Sequence, residues 1–404
     1  MSAALFDLAL RVAARDQGKP VARLRHNPAP ARAVTVAVVA RRTGPVVHVQ
    51  AMGPDGLTHT GSGAAGLAAL ARAAGCAGGD LGSGASAVVD TSATLRALAR
   101  LASAHADPGR CSGIDVAAGS SLVGWWVERA AHPGTTAVAD VLAVSRARYM
   151  LGVAPGADHA AAWRAALSVP AGIGGLRIWH RALSVGPLLP GLEAVSADDD
   201  WRLERHQGAL NKARSWDLPE SLHAAAARLA SRCDAADLYE AALLCDPLWR
   251  ARGVHTGHVC HGEVVIGAGT HSSRMVVRAG RLDTRLKTGA AVCGWAGDPM
   301  GVMPAAQNRF QGEVYGTAVE GDALVVTIGG LRRCGYRPAA GETVTVIGAP
   351  PNASTIRSRR SAVARLYRRR FSWLSQGTAP TAARRSVPLS VLIAAADDTG
   401  ATED

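Results

Sequence analysis

Two aspartates stand where they could do chemistry together. Asp90 closes Ala87-Val-Val-Asp-Thr-Ser, a β-type run that gives way to a helical pattern, so it would project from a sheet edge beside that helix. Asp140 lies near the start of another helical segment, after a loop holding His132-Pro133-Gly134. Converging there, the two carboxylates could share a hard divalent cation such as Mg²⁺. The competing reading is local: Asp90 caps its helix and Asp140 is a solvated first-turn acid favoured by the helix dipole.

Two further strings carry metal-like or nucleotide-like spacing. His255-x-x-His258-x-Cys260-His261, with Cys293 further on, offers imidazole and thiolate ligands of the kind Zn²⁺ takes. His261-Gly-Glu263 has the H-x-E of zinc deaminases without the P-C-x-x-C partner. On a strand His255, Cys260 and His261 would not all face one way, so the alternative is polar residues at a turn into a strand. Gly61-Ser-Gly-Ala-Ala-Gly66 fits G-x-G-x-x-G, and Asp90 follows where a ribose-binding acid would lie. A three-stranded meander precedes it, however, where a dinucleotide unit opens on one buried strand, and in a chain with 45 glycines the string arises by chance. Neither Gly-x-Ser-x-Gly nor the phosphate loop G-x-x-x-x-G-K-[ST] occurs, so serine-hydrolase and kinase sets are absent.

The strongest electrostatic signal is at the far end. Lys and Arg total 44 against 32 Asp and Glu, a formal charge of +12, and Lys19, Lys212 and Lys287 are the only lysines. Between Glu342 and Asp397 no acid occurs. One helical pattern there carries Arg357, Arg359, Arg360, Arg365, Arg368, Arg369 and Arg370, with Ile356, Val363, Leu366, Tyr367 and Phe371 as a possible apolar stripe. A solvated basic face is the plain reading of such a run. The functional one is phosphate neutralisation, with Tyr367, Phe371 and Trp373 placed to stack on bases.

The elements that must position these groups follow from the pattern. Residues 1–32 hold a short amphipathic helix over 4–17 and a Pro/Arg linker. Residues 33–150 predict three meandering strands (34–39, 46–50, 57–60), a helix over 64–74, a strand over 85–90 and a helix over 94–105. A fifth strand at 114–116 or 122–127 and a final helix over 137–149 complete an α/β domain with a mixed sheet. Residues 151–251 read as mostly helical, with helices at 160–167, 222–231 and 235–244. Residues 252–350 read as a β-rich small barrel or sandwich, whose clearest hairpin joins 313–319 to 323–328 through Glu320-Gly-Asp322. Residues 351–404 form the Arg-rich helix and tail, giving a multidomain α+β chain overall.

Over 33–150 this order resembles the ribonuclease H fold, and two strings carry the likeness. Val88-Val-Asp90-Thr-Ser-Ala-Thr-Leu-Arg-Ala-Leu resembles that family's fourth strand, where Asp-Ser precedes a helix. Trp125-Trp-Val-Glu-Arg-Ala-Ala-His132-Pro-Gly-Thr-Thr-Ala-Val-Ala-Asp140-Val-Leu-Ala resembles its last strand, histidine loop and closing helix. The resemblance implies that Asp90 and Asp140 are metal carboxylates and His132 the loop histidine that assists product release. The family also carries an Asp on its first strand and a Glu in its first helix, and here neither 33–54 nor 61–79 contains an acid. A pair of Mg²⁺ ions held about 4 Å apart needs several carboxylates, so the two-metal clamp should fail.

These expectations converge on a nucleic-acid-binding protein built on a degenerate, inactive ribonuclease H-like domain, with DNA, RNA or a hybrid as partner, on its own or in a larger nucleoprotein assembly. One alternative is an active Mg²⁺-dependent nuclease cleaving RNA in RNA–DNA hybrids with acids recruited from Asp55, Asp80, Asp115 or Glu128. Another is an assembly component whose basic tail docks an acidic protein. No apolar run reaches membrane-helix length, the start lacks a secretory pattern, and seven irregularly spaced cysteines fit reduced thiols; a cytoplasmic location is expected.

Overall fold

The computed structural model describes residues 3–154, 156–218, 222–267, 273–331, 335–351 and 353–368. The chain falls into two compact units, one of residues 1–219 with 231–357 and the other of 220–230 with 358–404. In the first, α1 (Ala3–Asp16) and the short β1 (Val21–Ala22) lead into a meander of β2 (Thr35–Thr43), β3 (Val46–Met52) and β4 (Thr58–Ser62). Gly44, at φ +59°, lets Thr43 pair directly with Val46 across the first hairpin. Along β3 residues Val47, Val49 and Ala51 are buried while His48 and Gln50 are exposed, the alternation of a strand covered fully on one face.

After the meander come α2 (Ala64–Ala73), β5 (Ser86–Val89), α3 (Ser92–Ser103), α4 (Ile114–Arg129), β6 (Val138–Asp140), α5 (Val141–Arg148) and β7 (Tyr149–Met150). The sheet order is β4-β3-β2-β5-β6, with β3 antiparallel to its neighbours and β2, β5 and β6 parallel. Every residue of β5 is buried, as expected of a parallel strand covered on both faces. On one face Leu67 and Leu70 of α2, Leu98 of α3 and Leu122, Trp125 and Trp126 of α4 pack on Val36, Val38, Val49 and Val89.

The other face is covered from further along the chain. A helical stretch follows: α6 (His159–Ala166), α7 (Gly172–Leu183), α8 (Glu193–Asn211), α9 (Leu222–Leu243) and α10 (Pro247–Thr256). Trp163 of α6 and Ile173, Leu176 and Trp179 of α7 pack with Val141 on Ala37 and Val88. Then β8 (Val259–Ile266), β9 (Met275–Ala279), β10 (Ala291–Ala296), β11 (Phe310–Glu320), β12 (Ala323–Gly329) and β13 (Thr343–Gly348) close an antiparallel barrel in the order β10-β11-β12-β9-β8-β13. Val264, Val277, Phe310, Val314, Val326 and Val346 fill it, and closure leaves no open edge. Last comes α11 (Ala353–Arg368).

The mixed α/β class, the helical stretch and the β module are as expected from the sequence. The fifth strand is not. Residues 114–129 are helical, and the fifth strand is Val138–Asp140, inside the segment expected to be helix. The cause is burial: Val116 to Trp126 is buried all round α4, so no polar stripe marks a helical period. The helices expected at 222–231 and 235–244 are one, α9. Among the described residues no helix is long and apolar enough to cross a membrane.

Candidate functional site

The site is built at the C-terminal ends of the parallel strands. Val38 of β2 is level with Val89 of β5, so Asp90 leaves the end of β5 beside the continuing strand β2. There it meets Arg41, whose Nη2 donates to Asp90 Oδ2 at 2.6 Å. The second carboxylate oxygen accepts from the Thr91 amide at 2.9 Å and from Thr94 Oγ1 at 2.7 Å. Asp90 therefore braces the entry to α3 and also holds an arginine, but it does not cap the helix as the local reading expected: the N-cap residue is Thr91, with no side-chain cap bond. Its side chain is 10% exposed and that of Arg41 60% exposed, so the pair faces water from the arginine side.

Asp140 is level with Val89, one residue behind Asp90, and successive strand residues point to opposite faces. Its Oδ1 caps α5 by accepting from the Ala143 amide at 2.9 Å. Burial pushes its carboxyl above the usual carboxylate range against those capping bonds, and the charge of Asp90 adds to the rise. The two acids are thus near enough to feel each other but are committed to different partners.

Arg41 continues into a row across the sheet. It pairs across the hairpin with His48, which pairs in turn with Ser62 of β4. Ser62 Oγ lies 2.7 Å from His48 Nδ1. Arg41, His48 and Ser62 are all exposed, as are Gln50 and Thr60 in the next row. This is the same face that α7 covers at Ala37 and Val39, left open toward the β3–β4 side.

A divalent cation does not fit this donor set. Both oxygens of Asp90 are taken, one by a guanidinium, and among the described residues no three His, Cys, Asp or Glu side chains gather to hold a metal. Assigning Asp90 and Asp140 as joint Mg²⁺ ligands is therefore corrected. The acids that could have been recruited are spent elsewhere: Asp55 and Asp80 brace turns at Leu57 and Gly82, Asp115 binds the Gly78 amide, and Glu128 pairs with Arg202 and His206.

His132 is corrected more sharply. Because Trp125 to Arg129 is helix, the histidine turn precedes β6 instead of following it, and His132 sits at the opposite end of the sheet from Asp90. There Ser86 Oγ, at the start of β5, donates to the Thr136 carbonyl. His132 is buried, and burial together with the Arg129 charge pushes its pKa down to about 4, only partly offset by Asp198. Ser231 Oγ donates to Asp198 Oδ2 at 2.8 Å, so a neutral His132 donates from Nε2 to that hydroxyl at 3.3 Å. Arg129 bonds Asp199 through Nε and Asp198 Oδ2 through Nη1 at 2.9 Å, while Thr135 and Thr136 supply further donors to Asp199.

The zinc string disperses. His255 stacks on Phe6 with centroids 5.5 Å apart, and His258 bonds Thr256 and pairs with Glu240. Cys260 is buried in the barrel, its thiol pushed up to about 12 by burial, and His261 bonds Thr345. Gly61 and Gly66 serve packing: a Cβ would lie 2.4 Å from the Ala65 carbonyl oxygen and 2.9 Å from Val49 Cγ2 respectively. On α11, Arg357, Arg359 and Arg365 are exposed, Ile356 is buried, and Arg360 and Arg368 lie on the helix. Tyr367 is also on it, whereas Arg369 and Arg370 fall outside the described residues.

No family model, curated protein or solved structure matches the chain. Sequence reasoning missed Arg41, His48 and Ser62. A trace of them was legible in the polar residues alternating with Val47, Val49 and Ala51, but the Arg41–Asp90 pair, 49 residues apart, was not.

Proposed function

We propose that this chain is a nucleic-acid-binding protein built on a ribonuclease H-like domain that has lost hydrolysis. The order of elements supports the kinship: a three-stranded meander, a helix, then parallel strands alternating with helices, with Asp90 and Asp140 ending adjacent parallel strands. The observation that carries the loss of activity is Arg41. It stands on the first strand of this sheet, where the resemblance expects a metal-binding aspartate, and puts a fixed positive charge on Asp90. A guanidinium there repels a divalent ion and replaces part of its charge.

Binding rests on charge. The formal charge is +12, and exposed arginines of α11 open a tail without an acid before Asp397. Each phosphate neutralised releases condensed counterions, so affinity should fall steeply with salt. Free thiols at Cys76, Cys111, Cys233, Cys245, Cys260 and Cys293 suit a reducing compartment such as the cytoplasm.

The test pairs hydrolysis with binding. The intact chain, incubated with an RNA–DNA hybrid and Mg²⁺ or Mn²⁺, should leave the hybrid uncut while binding single-stranded, duplex or hybrid oligonucleotides with a steep salt dependence. Brisk cleavage that Asp90→Asn abolishes would overturn the loss of activity, and a flat salt response would overturn the electrostatic basis.

A further inference from the structure

We infer that the row Ser62–His48–Arg41 is a metal-free contact for the phosphodiester backbone, with Arg41 in the place a divalent cation would take. The inference rests on the nucleic-acid reading above and names the atoms that would carry it. Nη2 of Arg41 is held by Asp90, and its remaining guanidinium donors have no partner among the described residues. Asp90 is itself fixed by the Thr91 amide and Thr94 Oγ1. A long, entropically costly side chain is thereby aimed before any ligand arrives, which lowers the cost of binding. The unused edge of a guanidinium offers paired N–H groups suited to two phosphate oxygens.

The neighbours fit the same ligand. Cross-strand register puts His48 beside Arg41 and Ser62 beside His48. At about 4.8 Å between strands the row runs roughly 10 Å. One strand of a duplex carries a charge every ~3.4 Å along the axis, so the row can face about two or three phosphates. Gln50 and Thr60 extend the polar surface into the next row, and both are exposed. Asp90, the carboxylate next to Arg41, is largely buried and already paired with it, and Asp140 on the next strand caps α5. A polyanion thus meets donors and positive charge here, with the opposing charge turned inward. Asp90 acts through Arg41 as a positioning residue.

The experiment is a salt-titrated binding series on the full chain, with single-stranded and duplex oligonucleotides, in EDTA and in Mg²⁺. Arg41→Ala should weaken binding about five- to tenfold and lower the salt slope by about one. Arg41→Lys should restore the slope, because the charge returns. His48→Gln and Ser62→Ala should each cost less than Arg41→Ala, and EDTA should change nothing. Wild-type affinity and slope in Arg41→Ala would overturn this inference alone, since the tail would then account for binding. An Arg41-dependent share of affinity that vanishes in EDTA would also overturn it, by showing that a metal mediates the contact. Failure of the intact chain to bind any oligonucleotide would overturn both this and the reading it rests on. Melting curves on each variant keep a folding defect separate, and Arg41 is exposed enough for its removal to leave the fold in place.

Discussion

The strands β5 and β6 carry a charge cluster at each end, built from the same residue types and put to opposite use. At their N-terminal ends Arg129, Asp198 and Asp199 are buried and meet Thr135, Thr136 and Ser231, so nearly every charge has a protein partner. At the C-terminal ends Asp90 holds Arg41 from below, and the arginine stands in water. A buried ion pair is costly to assemble and more costly to halve, so the first cluster can serve only the fold. An arginine tethered on one side and open on the other adds little to the fold and is available to a ligand.

Halving the buried cluster should give the largest effect. Arg129→Ala removes the buried guanidinium that Asp198 and Asp199 share and should cost about 3–5 kcal/mol in urea unfolding. Asp199 also binds the Thr136 amide at 2.7 Å, which ties α8 to the turn before β6. Asp199→Ala should therefore destabilise by a similar amount. Near-wild-type stability in either variant would erase the distinction between the two ends.

The next effect depends on pH. His132 titrates near 6.5 when unfolded and about 4 when folded, so between those values the unfolded chain binds more protons. Stability should then fall as pH drops from about 6.5 to 4 and level off for this group below that, a loss on the order of 3 kcal/mol. His132→Asn should flatten this part of the profile. An identical pH dependence in wild type and variant would show that His132 is not the buried neutral histidine its surroundings require.

How far the sequence disclosed this contrast depends on whether each feature is local. The β11–β12 hairpin and the first meander were legible because Glu320-Gly-Asp322 and Gly44-Pro45 specify turns between alternating strands. Helix α4 was not, because its Ala117-Ala-Gly-Ser-Ser segment is buried on every side and looks like any apolar run. That misreading moved His132 from one end of the sheet to the other. Nothing local marks Asp198 and Asp199 as buried acids, since a helix shows them only once Arg129 is known to meet them. Asp90 was found because it ends a strand, but its partner lay on a strand whose register no local pattern reports.

The smallest effect sharpens the comparison from the open end. Arg41→Ala removes one charge-assisted hydrogen bond whose donor is 60% exposed. Solvent screening and recovered side-chain entropy offset most of that loss, so the change in unfolding free energy should stay below about 1 kcal/mol. Asp90 keeps the Thr91 amide and Thr94 Oγ1, so its carboxylate is not stranded by the substitution. Asp90→Asn should cost more, about 1–2 kcal/mol, because it weakens acceptance from Thr94 and the amide at the entry to α3 as well as releasing Arg41. The order Asp90→Asn above Arg41→Ala in unfolding, reversed in oligonucleotide affinity, is the signature of a residue that positions beside one that binds. Urea melts and the salt-titrated binding series on the same two proteins read both orders, and a single shared ranking would mean the pair is merely a surface salt bridge.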